Sequence, residues 1–255
     1  MSTQERWTGR HSEKDRLRQR IWSLLESTGQ AVGDPWFSIP NYLGAAEAAR
    51  QLTRVPAWQD ARVVKCNPDA AQAPIRLAAL QAGKRVYTPV PELVESTPYL
   101  LLDPAELLAR GVPFEEVMYS AGAAMHGQRC TFREVEPLEF FIVGCVGVTR
   151  SGGRTGKGAG FADLELGIFN AYGKVGASTP MATTVHALQL VDDADVVMQG
   201  HDAPLDWIAT PGELIGTQTT LPRPATIDWS HVREDQFEAI PFLRELHAEL
   251  AAAAK

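Results

Sequence analysis

Residues 61–87, which read ARVVKCNPDAAQAPIRLAALQAGKRVY, carry the pattern that decides the fold. Both ends of this stretch, 61–65 and 85–87, contain the valine or tyrosine typical of short strands. Residues 70–82 between them are rich in alanine and leucine and predict a helix, with Gly83 as a natural stop. A strand, a helix and a strand in this order form a βαβ unit, in which the two strands are parallel and the crossover is right-handed.

Strands and helices continue to alternate along the chain. Further helices are predicted over residues 12–27, 44–52, 105–110 and 161–171, and further strands over residues 140–148, 183–191, 207–210 and 214–217. Residues 236–253 have the pattern of an amphipathic helix that Pro241 interrupts, so its continuous part is expected to begin near Pro241. Residues 111–136 have weak periodicity. The alternation predicts a single three-layer α/β/α domain over residues 1–255, with a mostly parallel sheet.

Residues 152–165, GGRTGKGAGFADLE, have the composition of a phosphate-binding loop. The glycines let backbone N–H groups approach a ligand closely, and Arg154 and Lys157 supply positive charge. The loop follows a predicted strand and precedes a predicted helix, an order that directs amides and a helix dipole at an anion. The carboxylates that follow, Asp163 and Glu165, suit the Mg²⁺ that accompanies a polyphosphate.

This loop matches neither of two familiar glycine motifs for nucleotides. A Walker A loop has Ser or Thr after Gly-Lys, whereas Gly158 follows Lys157, and Ser151 stands in place of the first glycine. The dinucleotide fingerprint G-x-G-x-x-G is replaced by G-x-G-x-G. A flexible surface turn is the alternative, but this density of glycines with two cations favours a binding loop.

Composition places the chain among ordinary globular proteins. It has 255 residues, 45% of them hydrophobic, which is enough for a full core. Its net charge of −7 argues against a general nucleic-acid-binding protein. No apolar stretch reaches the length of a membrane span, and residues 1–20 lack the apolar core of a signal peptide. Cys66, Cys130 and Cys145 have neither zinc nor disulfide spacing, and Cys66 and Cys145 are expected to be buried. A cytoplasmic protein is expected.

Two other polar groups have spacings that leave alternatives open. Lys14 and Arg18 are four residues apart and share one face of a helix, which from spacing alone is more often a solvated basic face than a ligand site. His201 and Asp202 suit acid–base chemistry or a metal contact, although neighbours in an extended chain point to opposite faces. A loop in which Asp202 or Asp206 caps backbone amides is an equal alternative.

Four segments, in order, resemble the motifs of the 5-formyltetrahydrofolate cyclo-ligase (5,10-methenyltetrahydrofolate synthetase) family. Residues 14–18 are similar to its K-x-x-L-R, and residues 83–89 to its G-K-x-V-x-x-P. Residues 153–163 resemble its loop G-R-L-G-x-G-x-G-Y-Y-D, and residues 189–210 its closing Q…H-D-x-x-x-D-x-x-x-T. The likeness therefore extends from residue 14 to about residue 215.

Four shorter sequence strings resemble one branch of this family, the methenyltetrahydrofolate synthetase domain-containing proteins. The strings that carry this likeness are IPNYLGA at 39–45, NPD at 67–69, GKGAGFADLE at 156–165 and TPMATTVH at 179–186.

The resemblance implies an α/β/α fold shared with ribose-5-phosphate isomerase and the CoA transferases. It also implies that ATP drives the closure of 5-formyltetrahydrofolate to 5,10-methenyltetrahydrofolate. The formyl oxygen takes the γ-phosphate, N10 attacks the activated carbon, and phosphate leaves.

The resemblance also implies roles for particular residues by matching position. The implied ATP-binding residues are Lys14, Arg18, Gly153, Arg154, Gly156, Lys157, Gly158, Ala159 and Gly160. Arg154 and Lys157 are the implied catalytic residues, because charge on the transferred phosphoryl group must be stabilised. Asp163 is the implied Mg²⁺ ligand. The implied partners are ATP and a reduced folate, and the chain is expected to be a monomer or a small homo-oligomer.

The sequence departs from the family at positions that the family uses to bind the folate. Phe161 and Ala162 replace the family's Tyr-Tyr, which removes two hydroxyl groups and one ring. The family's mid-chain aromatic and acidic residues have no clear match, and Phe161, Tyr119 and Glu115 are the expected substrate contacts. A nucleotide-binding regulatory module without cyclo-ligase activity and an ATP-dependent ligase for another small acid are therefore the alternative functions.

Overall fold

The computed structural model describes residues 9–90, 97–240 and 242–253. In this part of the chain the α-helices are α1 (Ser12–Ser27), α2 (Ala45–Leu52), α3 (Pro56–Asp60), α4 (Ala73–Gln81), α5 (Pro104–Ala109), α6 (Phe114–Val117), α7 (Ser120–His126), α8 (Phe161–Ala171), α9 (Glu234–Ala239) and α10 (Leu243–Ala253). The strands are β1 (Val63–Cys66), β2 (Arg85–Pro89), β3 (Tyr99–Leu102), β4 (Gln128–Cys130), β5 (Phe140–Ile142), β6 (Gly147–Thr149), β7 (Arg154–Thr155), β8 (Met181–Thr184), β9 (Leu190–Val191), β10 (Trp207–Ala209) and β11 (Leu214–Gly216).

Most of these strands form one large sheet in the order β11-β10-β8-β5-β1-β2-β3-β4. The strands from β10 to β2 are parallel to one another, and antiparallel pairs occur only toward the two edges. A second, small sheet has the order β7-β6-β9. The expected α/β class with a mostly parallel central sheet is confirmed.

The βαβ unit predicted from residues 61–87 is present. β1 and β2 pair in parallel, with Val64 opposite Val86, and α4 connects them. The helical segment begins with a 3-10 turn at Ala70–Gln72, and the α-helix starts only at Ala73, which places Pro74 in its first turn. Proline is tolerated there because the first N–H groups of a helix have no intrahelical partner.

The two faces of the large sheet bury separate cores. Side chains alternate along β1, so that Val63 packs in the same core as Phe169 of α8, whereas Val64 packs in the same core as Ile75 of α4. Helices thus cover the sheet on both sides, which is the layering that the alternation of elements predicted.

The strand predicted over residues 140–148 is in fact two strands in different sheets. β5 belongs to the large sheet and β6 to the small one. The chain passes between them at Gly144, where a Cβ atom would lie 2.9 Å from both Asp69 Oδ2 and Ile39 Cγ2. Only glycine permits this approach, and a hydrophobicity pattern does not register it.

The strand predicted over residues 183–191 is also divided. β8 ends at Thr184, a 3-10 turn follows at Ala187–Gln189, and β9 then pairs with β6. The His186 backbone N–H donates to Gln189 Oε1 at 2.7 Å, and the Leu188 N–H donates to His186 Nδ1 at 3.2 Å. Side chains here accept hydrogen bonds from backbone N–H groups that would pair with a neighbouring strand if the strand were continuous.

The C-terminal tail is helical in two pieces, α9 and α10, and the expected helix start at Pro241 lies outside the described residues. α6, α7 and β4 occupy most of the weakly periodic region, and β4 extends the antiparallel edge of the large sheet. Cys66 and Cys145 are buried and unpaired, as expected. Across the described ranges, no helix combines the length and apolar character needed to cross a bilayer.

Candidate active site

A cavity of about 620 Å³ lies where α1, the loop between β7 and α8, and the segment before β10 converge. Most of the residues predicted to bind ATP, metal or substrate line it, although they come from distant parts of the sequence. These are Lys14, Arg18, Arg154, Gly156, Lys157, Gly158, Ala159, Gly160, Phe161 and Asp163.

The glycines of the loop have two different structural roles. Gly158 and Gly160 line the cavity with φ angles of +111° and +73°, a backbone region that favours glycine. Gly152 and Gly153 instead build the hairpin between β6 and β7. A Cβ atom would lie 2.5 Å from the Leu205 carbonyl oxygen at Gly152 and 2.9 Å from the Thr149 hydroxyl at Gly153. Gly153 therefore supports the loop from outside the cavity lining.

Arg154 places a buried positive charge at the base of the loop, with 3% of its side chain exposed. Its Nε donates to the Ala203 carbonyl oxygen at 2.7 Å, and its Nη2 pairs with Asp163. Burial opposes the charge, but Asp163 and other neighbours outweigh this effect and raise the pKa of Arg154. The guanidinium is therefore held in one orientation and stays charged.

Lys14 and Asp202 form an ion pair in the cavity wall, with 9% of each side chain exposed. Burial opposes the ionisation of Asp202, but the charge and hydrogen bond of Lys14 outweigh it and lower the pKa of Asp202. Asp202 also accepts from the Gln199 N–H at 2.7 Å, and Asp206 from the Met181 N–H at 2.7 Å. Both aspartates thus cap backbone amides, one of the alternatives that the sequence left open.

Arg18 lies one helical turn after Lys14 on the same buried face of α1. Its Nε donates to the Gly156 carbonyl oxygen at 2.7 Å, and its Nη1 lies 2.6 Å from Asp15 Oδ1. Burial lowers the pKa of Arg18, but an arginine remains charged near neutral pH. The interpretation of this helix face as a solvated basic surface is therefore wrong, since both side chains are buried and line the cavity.

Lys157 and the start of α8 complete the positive side of the cavity. Lys157 is half-buried and forms no ion pair within residues 9–90, 97–240 and 242–253. Gly160 precedes α8 and has no side chain to cap its first amides. Those N–H groups, together with the helix dipole, offer further positive potential to an anion.

Asp163 and Asp202 are suited to hold Mg²⁺ beside these cations. Asp163 Oδ1 accepts from Arg154 and from the Ala203 N–H at 2.9 Å, so its Oδ2 is available to another ligand. Mg²⁺ is usually bound by one or two carboxylates together with phosphate oxygens and water. The residues present therefore fit a magnesium ion brought in with a polyphosphate.

A buried polar network, which the sequence analysis missed, adjoins the cavity. Lys65 Nζ lies 2.7 Å from Glu165 Oε2 and donates to Asn67, and Tyr99 donates to the other oxygen of Glu165. Burial, reinforced by the charge of Glu165, raises the pKa of Tyr99, which keeps its hydroxyl a donor. A lysine inside the apolar strand VVKC was the available signal, because a buried lysine requires a partner.

Tyr119 and Glu115, the expected substrate contacts, lie outside the cavity lining. Glu115 lies in α6, and Tyr119 precedes α7 with about half of its surface exposed. Ser120, the next residue, does line the cavity, and its hydroxyl donates to the Pro68 carbonyl oxygen at 2.8 Å. The cavity lining therefore does not support the prediction that Tyr119 and Glu115 contact the substrate.

The segment between β11 and α9 forms a further wall that no motif marked. Residues 226–228 and 230–233 line the cavity together with Gln236. The Gln236 side-chain amide donates to the Ala159 carbonyl oxygen at 3.1 Å, which fastens the segment to the glycine loop. No periodicity distinguishes these residues in the sequence.

The fold is that of a class of mixed α/β proteins that includes a solved methenyltetrahydrofolate synthetase. The NMR structure of Aquifex aeolicus 5,10-methenyltetrahydrofolate synthetase has the same fold, with a TM-score of 0.50 and 15% sequence identity. The match covers 87% of this chain and 98% of that protein.

The model of the 5-formyltetrahydrofolate cyclo-ligase family matches residues 10–211, and the chain belongs to this family. Methenyltetrahydrofolate synthase domain-containing proteins are similar over 95% of the chain, with 32% identity in Bos taurus and 33% in Mus musculus. The chain spans 64% and 65% of the lengths of these two relatives. The resemblance inferred from the sequence motifs is confirmed.

Proposed function

We propose that the protein is an ATP- and Mg²⁺-dependent ligase that closes 5-formyltetrahydrofolate to 5,10-methenyltetrahydrofolate. Family membership and the fold support this class of reaction. The observation that carries the proposal is the convergence of Lys14, Arg18, Arg154 and Lys157 on one glycine loop, in a chain whose net charge is −7. A local concentration of cations in an acidic protein is expected where a strongly anionic ligand binds.

The dimensions and lining of the cavity suit a ligand of nucleotide size. Its volume of about 620 Å³ lies within the range of roughly 300–1,000 Å³ that is usual for small-molecule sites. Backbone amides at Gly156 and Gly158 and the first turn of α8 would contact phosphate oxygens. Arg154 cannot move far, because its Nε is tied to the Ala203 carbonyl oxygen. It therefore provides a fixed charge that costs no reorganisation when phosphoryl charge shifts.

In the proposed reaction the formyl oxygen attacks the γ-phosphorus of ATP, and ADP leaves. N10 of the folate then attacks the formyl carbon and gives up its proton to solvent, and inorganic phosphate departs with the former formyl oxygen. Arg154 and Lys157 would stabilise the charge that develops on the transferred group, while Lys14 and Arg18 hold the rest of the polyphosphate. Mg²⁺, held by Asp163 and Asp202, would neutralise phosphate charge. No covalent nucleophile on the protein is needed.

A second candidate function is a nucleotide-binding module without cyclo-ligase activity. Phe161 and Ala162, in place of two tyrosines, and the position of Tyr119 and Glu115 outside the cavity favour it. An ATP-dependent ligase for another small acid is a third candidate, on the same observations.

Three successive measurements separate these candidates. The purified chain is mixed with ATP, Mg²⁺ and 5-formyltetrahydrofolate, and the near-ultraviolet absorbance of the methenyl product is followed over a range of pH. Cyclo-ligase activity predicts an ATP-dependent rise that Arg154→Ala abolishes. If absorbance stays flat, calorimetry with ATP and with the folate decides: ATP binding without folate binding supports the regulatory module. Phosphate release with pooled small acids supports the other ligase.

A further inference from the structure

Three metal-ligating side chains meet at the edge of the cavity, where the wall formed by residues 226–233 approaches the segment before β10. We call His201, Asp228 and His231 the rim cluster. One ring nitrogen of each histidine and one carboxylate oxygen of Asp228 all lie within 4.8 Å of one another. Asp228 Oδ2 is 2.7 Å from His231 Nδ1, and the centroids of the two imidazole rings are 4.3 Å apart.

An independent observation at His201 also points to a bound ligand. Its Nδ1 atom is buried and has no hydrogen-bond partner among the described residues. Its Nε2 atom lies 3.7 Å from Asp202 Oδ1, on the side of the ring that faces the Lys14–Asp202 pair. A ring nitrogen removed from water without a partner is an exception that calls for an explanation, and an absent ion is one of the usual ones.

We propose that the rim cluster binds a divalent transition-metal ion of the zinc class. Two imidazole nitrogens and a carboxylate oxygen form a ligand set that such ions prefer. Three protein ligands leave a fourth position open, and all three residues line the cavity, so that position is accessible to water or to a ligand in the cavity. Ligand atoms around a tetrahedral ion are roughly 3.4 Å apart, so the atoms of the cluster need to move by about 1.4 Å at most relative to one another. Asp228 and His231 are exposed enough to make this adjustment.

The rim cluster differs from the proposed magnesium site in chemistry and in position. Asp163 and Asp202 offer only oxygen atoms, which suit Mg²⁺, whereas imidazole suits zinc, copper, nickel and iron. Two of the three rim ligands, Asp228 and His231, lie beyond residue 211, where the match to the family model ends. A metal at the rim would join this C-terminal wall to His201. The inference does not depend on which reaction the cavity supports.

Cobalt provides a direct spectroscopic test. The full-length chain is treated with a chelator and titrated with Co²⁺ alone, and its visible ligand-field absorption is recorded, followed by displacement with Zn²⁺. We expect one Co²⁺ per chain, displaced by Zn²⁺ and not by an excess of Mg²⁺. Asp228→Asn and His231→Gln should each weaken Co²⁺ binding by at least about tenfold.

His126→Gln is the matched control, because His126 also pairs with a carboxylate, Glu116, at 2.9 Å but has no third ligand in the described part of the chain. It should leave Co²⁺ affinity unchanged, and circular dichroism of each variant verifies that it is folded. Because Asp228 and His231 both lie near the surface, each can be replaced without disturbing the core. The two variants therefore test the same site independently. The proposal is overturned if Co²⁺ does not bind, or if it binds equally well to the wild type and to both rim variants. In those cases Asp228 serves only the local turn that it forms with Ser230 and His231.

Discussion

Lys14 and Asp202 are 188 residues apart in the chain and form one ion pair, buried in the wall of the cavity. The pair joins the first helix to the segment before β10 and places an ammonium group in the lining of the cavity. Each charge is stabilised chiefly by the other, since water is largely excluded from both. The loss of one partner should therefore disturb the protein more than the loss of both.

Lys14→Met should lower the free energy of unfolding by about 3 kcal/mol, because it leaves the Asp202 carboxylate buried without its cation. The double variant Lys14→Met/Asp202→Asn should recover most of this stability. ATP binding should not recover, since the double variant still lacks the cation. Urea denaturation measures the first effect, and calorimetry with ATP measures the second.

The exposed pair Arg50–Glu47 is the matched control for this cycle. Arg50→Ala should leave the free energy of unfolding nearly unchanged, because exposed ion pairs contribute little. A loss in Lys14→Met no larger than in Arg50→Ala would show that the Lys14–Asp202 pair is not what holds α1 in place.

The lowered pKa of Asp202 makes part of the stability depend on pH. Its pKa in the folded protein lies below its value of about 4 in the unfolded chain. The ionised carboxylate therefore contributes stability that is fully present above about pH 4 and is lost as the pH falls through the folded pKa. The difference in unfolding free energy between the wild type and Asp202→Asn should be largest near neutral pH and shrink in acid. Urea denaturation at several pH values tests this, and a difference that is constant or grows in acid contradicts it.

Local sequence patterns were sufficient for the elements that frame the site. The helices predicted over residues 12–27 and 161–171 have the observed bounds, because their periodicity lies within each element and their capping residues lie directly beside it. The strands over residues 140–148 and 183–191 were wrong in extent. Their breaks depend on Gly144 meeting Ile39 and Asp69, and on side-chain bonds around His186. Gly144 is distant in sequence from Ile39 and Asp69, so no local sequence window contains this contact.

The candidate site was likewise predictable only in part. Motif residues at positions 14–18 and 153–163 do come together, as the family resemblance implied. The Lys65–Glu165 pair spans 100 residues, and although a lysine in an apolar strand signals a buried partner, nothing in the sequence identifies that partner as Glu165. The rim cluster likewise combines residues from two segments about 30 positions apart. Pairings of this kind follow from the packing of α8 and the tail on the sheet, and the sequence alone does not specify that packing.

Lys157→Ala should weaken ATP binding by at least about tenfold while changing the free energy of unfolding by less than about 0.5 kcal/mol. The reason is that Lys157 lines the cavity without an ion pair to any other described residue, so its removal leaves no buried charge uncompensated. Calorimetry with ATP and thermal denaturation give the two quantities. Lys174→Ala, a half-buried lysine away from the cavity, is the control and should alter neither. Equal ATP affinity in both variants would remove Lys157 from the binding site.

Gly156→Ala tests whether phosphates contact the loop backbone. A Cβ atom on Gly156 would meet no protein atom within 4 Å, and its φ is not in the left-handed region, so the free energy of unfolding should change by less than about 1 kcal/mol. The methyl group would nevertheless occupy the space through which a phosphate approaches the amide, so the dissociation constant for ATP should rise at least about tenfold.

Gly176→Ala is the matched control for this variant. A Cβ atom on Gly176 would also meet nothing within 4 Å, and the φ angle of Gly176 is likewise outside the left-handed region. Unlike Gly156, Gly176 does not line the cavity. Both variants should therefore unfold alike, and only Gly156→Ala should lose ATP affinity in calorimetry. Equal dissociation constants would mean that the polyphosphate is held by the side chains of Lys14, Arg18 and Arg154 and does not approach the backbone at Gly156. Equal losses of affinity would instead indicate that any added methyl group perturbs the fold, and the free energies of unfolding would then fall together.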